Sequence, residues 1–357
     1  MRASLMHNHP QEHPREQERL EALRSLQILD TPIEERFDRI TRLTSQTLDM
    51  PICAITCIDE HRQWFKSIVG LDIEQTDRSL SFCEHTHIHN RVLVVPDARY
   101  DERFASNTLV TGYPGMVFYA GAPIFSRANL PVATLCVYDT CPRRMPQSDM
   151  ATLHDFARQV ECELHTERSN PIEQALISEI GATWRSSMID PLTRVWNHEG
   201  ILTLMAESIS YHRDRAKGMG IAVLDLLGYE QIVQQLGLDQ GEDYLREFVR
   251  RAIRLCDSSV SIGRLDEGEF ALLLPMHEHR SQFTSLLNKL CMLSDEIHPL
   301  RNARKSVAFG LHLPPQNRCE SGQVCDRLCD GLYEMRKESD DRIRVQTMPN
   351  TPTDRAA

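Results

Sequence analysis

The side chains with chemistry to offer fall in three places. Residues 263–275 read "GRLDEGEFALLLP": the end of a strand, a tight turn with one glycine, then an apolar strand. The turn crowds Asp266, Glu267 and Glu269 around Gly268, and Phe270 leads into the second strand. Either this turn carries chemistry or it only reverses the chain. Residues 83–87 read "CEHTH", in which Cys83, His85 and His87 alternate. On a strand all three would share one face, where they could hold a metal or a haem iron, or present a redox-active thiol. The alternative is that Cys83 and His85 pack or hydrogen-bond in a pocket wall. A zinc site needs a fourth partner, and the spacing supplies none. The third place is the group His7, His9 and His13. It could take nickel or zinc, but no carboxylate or cysteine frame fixes a geometry, and a disordered tail over 1–17 is the reading adopted.

Two successive sets of elements must position these residues. "EQERLEALRSLQIL" places Leu20, Leu23, Leu26 and Ile28 near one helix face. "DTPIEERFDRITRLTSQTL" predicts a second helix, with Asp30 and Thr31 as caps and Pro32 in its first turn. Strands are expected at "ICAITCID", "QWFKSIVG", "VLVVPD", "FYAGAPIF" and "PVATLCVYD", and "QSDMATLHDFARQVECELH" closes the half as a helix. Asn170-Pro171 then breaks the chain. The helix expected over 172–188 carries a partial apolar stripe, Ile172, Ala175, Leu176, Ile177 and Ile180, which needs a partner; a second copy of the chain is the simplest one. From Asp190 onward the pattern reads helix, strand (220–227), helix (242–255), strand (259–264), strand (269–275), helix (280–297), strand (306–313), helix (323–338). Its middle is the β-α-β-β-α-β arrangement of ferredoxin-like domains. The last residues, 347–357, read as a disordered tail.

Bulk composition narrows the function. The 357 residues suffice for two domains, and 41% apolar residues allow sizeable cores. A net charge of -11 offers nothing global to attract phosphates, so nucleic acid is not an expected partner. The 11 cysteines form no paired framework and are odd in number, which suits a reducing compartment. No apolar run has signal-peptide or membrane-spanning length, so a cytoplasmic protein without a membrane span is expected.

The first half resembles a bacterial GAF sensor domain. The resemblance rests on "RLEALRSLQILDTPIEERFDRITRL", "CIDEHRQWFKSIVGL", "SFCEHTHIH", "VVPDARYDERFASNTLV" and "FYAGAPI…ATLCVYD". It implies an antiparallel six-stranded sheet with flanking helices over 18–168 and a small-molecule pocket on one face. Trp64, Phe65, Cys83, His85, Phe118 and Tyr119 are the candidates to line that pocket. The pocket ligand is unnamed by the sequence.

The second half, 190–346, resembles a GGDEF domain, the family that joins two GTP into cyclic di-GMP. Its "DPLTRVWN" is similar to the family's "D-x-LTGLxN", "VLDLLGYEQIVQQLGLDQGEDYL" follows "DxDxFKxIND…GHxxGDxxL" without gaps, "GRLDEGEFALLLP" aligns with "RxGGDEFxxLLP", and "CDGLYEMRK" with "ADxALYxAK". The whole chain is thus expected to be α+β, a GAF domain joined through residues 169–189 to a GGDEF-type domain. The resemblance implies nucleotidyl transfer on two Mg²⁺ ions, held by the first Asp of "DxD" and the third position of the signature. Asp225 keeps the first place, while Leu227 replaces the second Asp. Asp266 and Glu267 stand where two glycines belong, and Gly268 stands where a metal carboxylate belongs; Glu269 and Phe270 keep their places. Gly permits a positive φ that Glu tolerates poorly. Val233 replaces an Asn expected to bond guanine, and Glu242 replaces an Asp. Leu238 replaces a His, Glu230 a Lys and Asp340 an Arg, and Arg336 is the phosphate-side cation kept. An "RLCD" from Arg254 to Asp257 is three residues out of register with the family's product-inhibition motif and reads as a helix-end coincidence, whereas Arg264 is in register.

Losses at the metal ligand, the turn glycines, the guanine contact and the phosphate cations point to a regulator whose GGDEF-like half is catalytically inactive. In this reading Asp225, Glu269 and Arg336 are vestigial, no cofactor is held, and the GAF half senses while the second half acts through protein contacts. Partners would be a second copy through 172–188, another effector, or an active cyclase or phosphodiesterase. Two other readings stay open. One is a divergent diguanylate cyclase, with Mg²⁺ on Asp225. The other is a module that binds GTP or cyclic di-GMP without turnover.

Overall fold

A computed structural model describes residues 13–166, 170–215, 217–276, 280–301, 303–315, 317–337 and 342–349. The chain divides into two units, Met1–Glu167 and Arg168–Ala357. In the first, α1 (Glu16–Ser25) and α2 (Glu35–Thr47) precede β1 (Ile52–Ile58), β2 (Arg62–Val69) and β3 (Gln75–Asp77). Then come α3 (Phe82–His89), β4 (Leu93–Val95), α4 (Thr108–Thr111), β5 (Phe118–Phe125), β6 (Pro131–Asp139) and α5 (Gln147–Leu164). The strands form one antiparallel sheet in the order β3-β2-β1-β6-β5-β4. The central strands "ICAITCI" and "PVATLCVYD" are buried at every residue, as a sheet covered on both faces requires. One face packs on α1, α2 and α5 through Leu23, Phe37, Leu153 and Val160. The other packs on α3 and the loop that carries Phe104.

Two expectations for this half are corrected. The second helix begins at Glu35, with no side-chain cap, and not at Asp30. The cause is Lys66, buried in the middle of β2: its Nζ donates to Thr31 Oγ1 at 2.9 Å and Pro32 O at 2.6 Å and pairs with Glu34 at 2.7 Å. A buried ammonium needs those oxygens, so it holds residues 31–34 out of the helix, while Arg62 clamps Asp30 through two bonds of 2.9 and 2.6 Å at φ 53°. The "CEHTH" segment is helix, not strand. At the N-terminal end, α1 starts two residues before the expected domain boundary; His13 is buried, and burial lowers its pKa. His7 and His9 lie outside the described residues.

The second unit contains α6 (Pro171–Glu179), α7 (Ala182–Ser187), α8 (His198–Asp214), β7 (Gly218–Asp225), α9 (Tyr229–Leu236) and α10 (Leu238–Leu255). It continues with β8 (Ser261–Arg264), β9 (Glu269–Met276), α11 (Arg280–Glu296), β10 (Val307–Leu313), α12 (Ser321–Lys337) and β11 (Ile343–Thr347). The sheet order β11-β10-β7-β9-β8 contains the expected βαββαβ core. β11, which the sequence reading missed, adds a fifth strand parallel to β10. The long helix also starts earlier than expected: Gly237, at φ 94°, ends α9 and lets α10 begin at Leu238. At the end of the chain Met348 is buried, so the expected tail loses its first two residues to the fold; residues 350–357 lie outside the described ones. Among the described residues no helix is long and apolar enough to cross a membrane.

The expected 172–188 helix is two helices, α6 and α7, interrupted at Ile180-Gly181. Three residues of its apolar stripe are covered within its own unit, while Ala175 is exposed and Ile180 half-buried. Ile172, Leu176 and Ile177 are buried in the core of their own unit with Met188, Trp196 and Ile201. Asn170 fastens this helix: its Oδ1 accepts from the N–H groups of Ile172 and Glu173, and its Nδ2 donates to Ser261 Oγ at 3.0 Å. Replacing Asn170 by Ala is expected to lower the unfolding free energy by about 1–2 kcal/mol through loss of the cap and of the Ser261 bond. Urea denaturation followed by Trp fluorescence measures this, and an unchanged midpoint would mean that α6 is not held to the sheet by this residue.

Candidate functional site

In the second unit the three site residues Asp225, Glu269 and Arg336 meet. Asp225 ends β7 and Glu269 starts β9, and the two are cross-strand neighbours in an antiparallel pair. Two carboxylates placed side by side repel unless a cation sits between them. The cation is Arg336, from the last turn of α12: its Nε donates to Asp225 Oδ2 at 2.6 Å, and its Nη2 donates to Glu269 Oε1. Asp225 is only 7% exposed. Burial raises its carboxyl pKa more than the neighbouring Arg336 lowers it, and Glu269 raises it further. Burial lowers the guanidinium pKa less than Asp225 and Glu269 together raise it, so Arg336 stays protonated.

The signature turn lies beside this triad. Leu265 N–H donates to Glu269 O at 2.8 Å, and Asp266 and Glu269 exchange longer bonds of 3.4 Å. Asp266 and Glu267 are exposed and Gly268 is buried. None of the three has a positive φ, which corrects the expectation that Glu267 is badly placed where a glycine belongs. The turn is held from outside instead. Arg264 donates to the carbonyls of Asp266 (3.2 Å) and Glu267 (3.0 Å), and its other edge meets Asp190 at 3.3–3.4 Å. Asp190 in turn accepts from Thr193 N and Oγ1 at 2.7 and 2.6 Å. Gly268 sits in a close fit: its carbonyl accepts from Leu226 N–H at 2.9 Å, and a Cβ at residue 268 would lie 3.3 Å from Leu226 O, so a side chain there asks the neighbours to move by a few tenths of an ångström. The one residue in left-handed backbone near this motif is Arg194, φ 63°, which stands at the glycine of the family's "LTGL".

The other substituted positions lie on α9 and α10. Val233 packs over Gly241, so that a Cβ at residue 241 would stand 2.7 Å from its Cγ2. Glu242 is ion-paired with Arg246 at 3.0 Å, Glu230 is exposed, and Leu238 is 56% exposed. Asp340 lies outside the described residues. Arg254 sits in the last turn of α10, and Asp257 caps the loop beyond it by accepting from Ser259 N–H at 3.0 Å, so "RLCD" ends a helix as expected. Among the described residues no group of three or more His, Cys, Asp or Glu side chains is placed to hold a metal ion.

In the first unit the six candidate pocket residues divide. Phe65, Cys83 and Tyr119 lie on the α3 face of the sheet, whereas Trp64 and Phe118 lie on the opposite face, in the core under α2 and α5. Strand alternation makes that split unavoidable, since 64/65 and 118/119 are consecutive residues on β2 and β5. The α3 face is filled by its own rings: Phe82 stacks on Phe104 at 4.1 Å, and Tyr119 and Tyr138 approach it at 5.3 and 6.0 Å. His85 meets Phe104 edge-on at 4.8 Å, and burial, then Arg103, lower its pKa to about 4. Thr86 Oγ1 and Tyr119 Oη share a bond of 2.6 Å, and Cys83 Sγ lies 3.5 Å from both Cys136 Sγ and Tyr138 Oη. Phe82, Phe104, Cys136 and Tyr138 were not singled out in the sequence. One signal was present: "SFCE" is a capping-box spacing, and Ser81 Oγ does accept from Glu84 N–H at 3.2 Å. Asn90, in left-handed backbone, closes the same helix.

Comparison with known proteins identifies two domains in the chain. The family model for the GAF domain matches residues 32–164, and that for "Diguanylate cyclase, GGDEF domain" matches 187–342. A cyclic di-GMP phosphodiesterase of Pseudomonas aeruginosa is 32% identical over 257 residues, 71% of this chain. The chain spans 40% of that relative's length. Among solved structures, the GGDEF domain of DgcB from Caulobacter crescentus, in complex with c-di-GMP, is 17% identical, covering 44% of this chain and 95% of that one at a TM-score of 0.40. The diguanylate cyclase SiaD of Pseudomonas aeruginosa, solved with its activator SiaC, is 18% identical, covering 56% and 78% at a TM-score of 0.41.

Replacing Arg336 by Met leaves two adjacent carboxylates without their cation. Arg336 keeps about a third of its side chain exposed, so the expected loss is moderate, roughly 1–3 kcal/mol near pH 7. The pH dependence has a definite sign. A raised folded-state pKa means the folded protein holds the Asp225 proton more tightly than the unfolded chain does. Stability from that group is therefore full below its ordinary value near 3.8 and falls as pH rises through the folded value. Without Arg336 the folded value rises further, so the deficit of the variant should grow between about pH 4 and pH 7 in urea titrations. A deficit independent of pH would mean that Arg336 acts by packing alone.

Proposed function

We propose that this chain, a GAF domain followed by a GGDEF domain, works in cyclic di-GMP signalling as a regulator that makes no cyclic di-GMP itself and acts through protein contacts. The observation that carries the reading is the triad. Arg336 engages Asp225, the expected magnesium ligand that the chain keeps, together with Glu269, and the third signature position, where the other ligand is expected, is Gly268, which has no side chain to ligate with. Residues in this arrangement do not fit a pair of Mg²⁺ ions: each ion wants several anionic or neutral oxygens in near-octahedral array, and the available carboxylates already neutralise a guanidinium. Val233, packed on Gly241, has no group to bond guanine. Exposed Glu230, with the exposed carboxylates Asp266 and Glu267 in the turn, adds charge of the same sign as a triphosphate. The likeness to a phosphodiesterase of cyclic di-GMP supports the cyclic di-GMP part of the reading.

The protein contacts would be made by the surface that the altered positions have left. Leu236 and Leu238 are 44% and 56% exposed on either side of Gly237, with exposed Asp239 following Leu238 in the chain. An active cyclase, a phosphodiesterase or a second copy could meet it there. The GAF half would bias that contact through what it senses.

Purified protein incubated with GTP and Mg²⁺ or Mn²⁺ is expected to yield no cyclic di-GMP by mass spectrometry; steady turnover would overthrow the proposal. Changing Asp266, Glu267 and Gly268 together to Gly, Gly and Asp is expected not to create activity, because Arg336 and Val233 stay in place. Full recovery from those three changes would show that the turn alone decides. Calorimetric titration with GTP and with cyclic di-GMP separates this reading from a non-catalytic binding module: flat traces are expected for both, and saturable heat would favour the module.

A further inference from the structure

Two thiols in the GAF unit have no part in the reading above. Cys83 is the second residue of α3 and Cys136 lies in the middle of β6. Their sulfurs are 3.5 Å apart, and both side chains are fully buried. We propose that Cys83 and Cys136 are a redox pair that closes to an intramolecular disulfide when a peroxide reaches the α3 face, and reopens with a thiol reductant.

Three features of the site support this. A disulfide needs its sulfurs at about 2.0 Å, so closure asks for an approach of about 1.5 Å, within reach of small side-chain rotations. The two residues also have unequal roles. Cys83 Sγ donates to Cys136 Sγ at 3.5 Å and lies 3.5 Å from the hydroxyl of Tyr138, near the N-terminal end of a helix. Burial pushes the thiol up, and its hydrogen-bonding neighbours, Cys136 first, outweigh it and bring Cys83 down to about 7. Cys136 is instead pushed up by burial and by the charge on Cys83, and its S–H donates to Ala54 O at 3.5 Å. That assigns Cys83 as the attacking sulfur and Cys136 as the resolving one. Finally, no other thiol competes for the site: Cys53 and Cys57 lie on the opposite face of the sheet, and Cys141 and Cys162 are at the surface.

The chemistry balances with the peroxide as the only oxidant. The Cys83 thiol attacks one peroxide oxygen, the O–O bond breaks, water leaves and a sulfenic acid forms. The Cys136 thiol then attacks the Cys83 sulfur, the S–O bond breaks, the hydroxyl leaves as a second water, and the S–S bond forms. Overall two thiols lose two electrons and two protons to one hydrogen peroxide. Because both sulfurs are buried, the pair should discriminate by size. Hydrogen peroxide, close to water in size, reaches them through breathing of α3, whereas a bulky disulfide reagent does not. The product ties α3, whose Thr86 already bonds Tyr119, to the central strand of the sheet. This inference stands apart from the cyclic di-GMP reading and can fail or hold without it.

The full chain is treated with hydrogen peroxide, its remaining thiols are blocked with N-ethylmaleimide after denaturation, and the digest is analysed by mass spectrometry. The expected result is a Cys83–Cys136 cross-linked peptide, removed by dithiothreitol and about tenfold more abundant than any other cysteine pair. Glutathione disulfide in place of peroxide is expected to give none. In Cys136→Ser the sulfenic acid has no resolving partner, so dimedone should label Cys83; in Cys83→Ser, Cys136 should stay unlabelled. Oxidation confined to the exposed Cys141, Cys162 and Cys329, with Cys83 and Cys136 recovered as thiols in the wild-type chain, would overturn the proposal. Dimedone labelling of Cys136 in preference to Cys83 would overturn the assignment of roles.

Discussion

The contact between Arg336 and the paired carboxylates of Asp225 and Glu269 ties three elements of the second unit, α12, β7 and β9, to one another. β7 and β9 are antiparallel neighbours, and their register places the two acids opposite each other at the open end of the pair. One of them is almost fully buried. Such a pair stays ionised only beside a positive charge. In a metal enzyme an ion bound from solution supplies that charge; here a side chain of the same unit supplies it, permanently, because a guanidinium does not lose its proton. The same contact joins α12 to both strands.

With the carboxylates satisfied from within, the turn between β8 and β9 is released from one duty and keeps another. It must still reverse the chain. Arg264 does this work by gathering the carbonyls of Asp266 and Glu267 while its far edge rests on Asp190. A turn held by an external donor does not need φ > 0 at its tip, so Asp266 and Glu267 sit there in ordinary backbone, with their charges in solvent. Gly268 sits in a close fit against Leu226 and Tyr229. The two arginines thus divide the site: Arg264 keeps its shape, and Arg336 closes its charge.

What could be read in advance follows from how local each cause is. The two-domain order, the βαββαβ core and the six strands of the first sheet except its short edge β3 were legible, because apolar runs bounded by Gly, Pro and Asp are local signals. The start of α2 was not, since it is decided by Lys66 and Arg62, more than thirty residues away, pulling on Asp30, Thr31 and Pro32. The two faces of the first sheet were legible in principle: alternation alone sends Trp64 away from Phe65 and Phe118 away from Tyr119. The helix at Phe82 was also announced, by Ser81 and Glu84, but the alternating Cys and His types pointed to a strand. At the candidate site, Asp225, Glu269 and Arg336 could be picked out one at a time. That they bind one another, rather than a ligand, depends on α12 crossing the end of the sheet, and no local spacing carries that.

In the proposed reading the triad makes losing one function compatible with keeping the fold, and makes the reverse step hard. A ligand that brought magnesium and phosphate to Asp225 would have to displace Arg336, and a displaced guanidinium must be solvated or paired anew. Breaking a buried, hydrogen-bonded charge pair costs several kcal/mol, though less where one partner is partly exposed, as Arg336 is. That cost is set against whatever affinity the phosphates bring, before Glu230 and the exposed turn carboxylates add their repulsion. In the proposed reading the stability of the domain and the loss of its metal site are therefore one arrangement. A change that improves either works against the other, unless it moves Arg336.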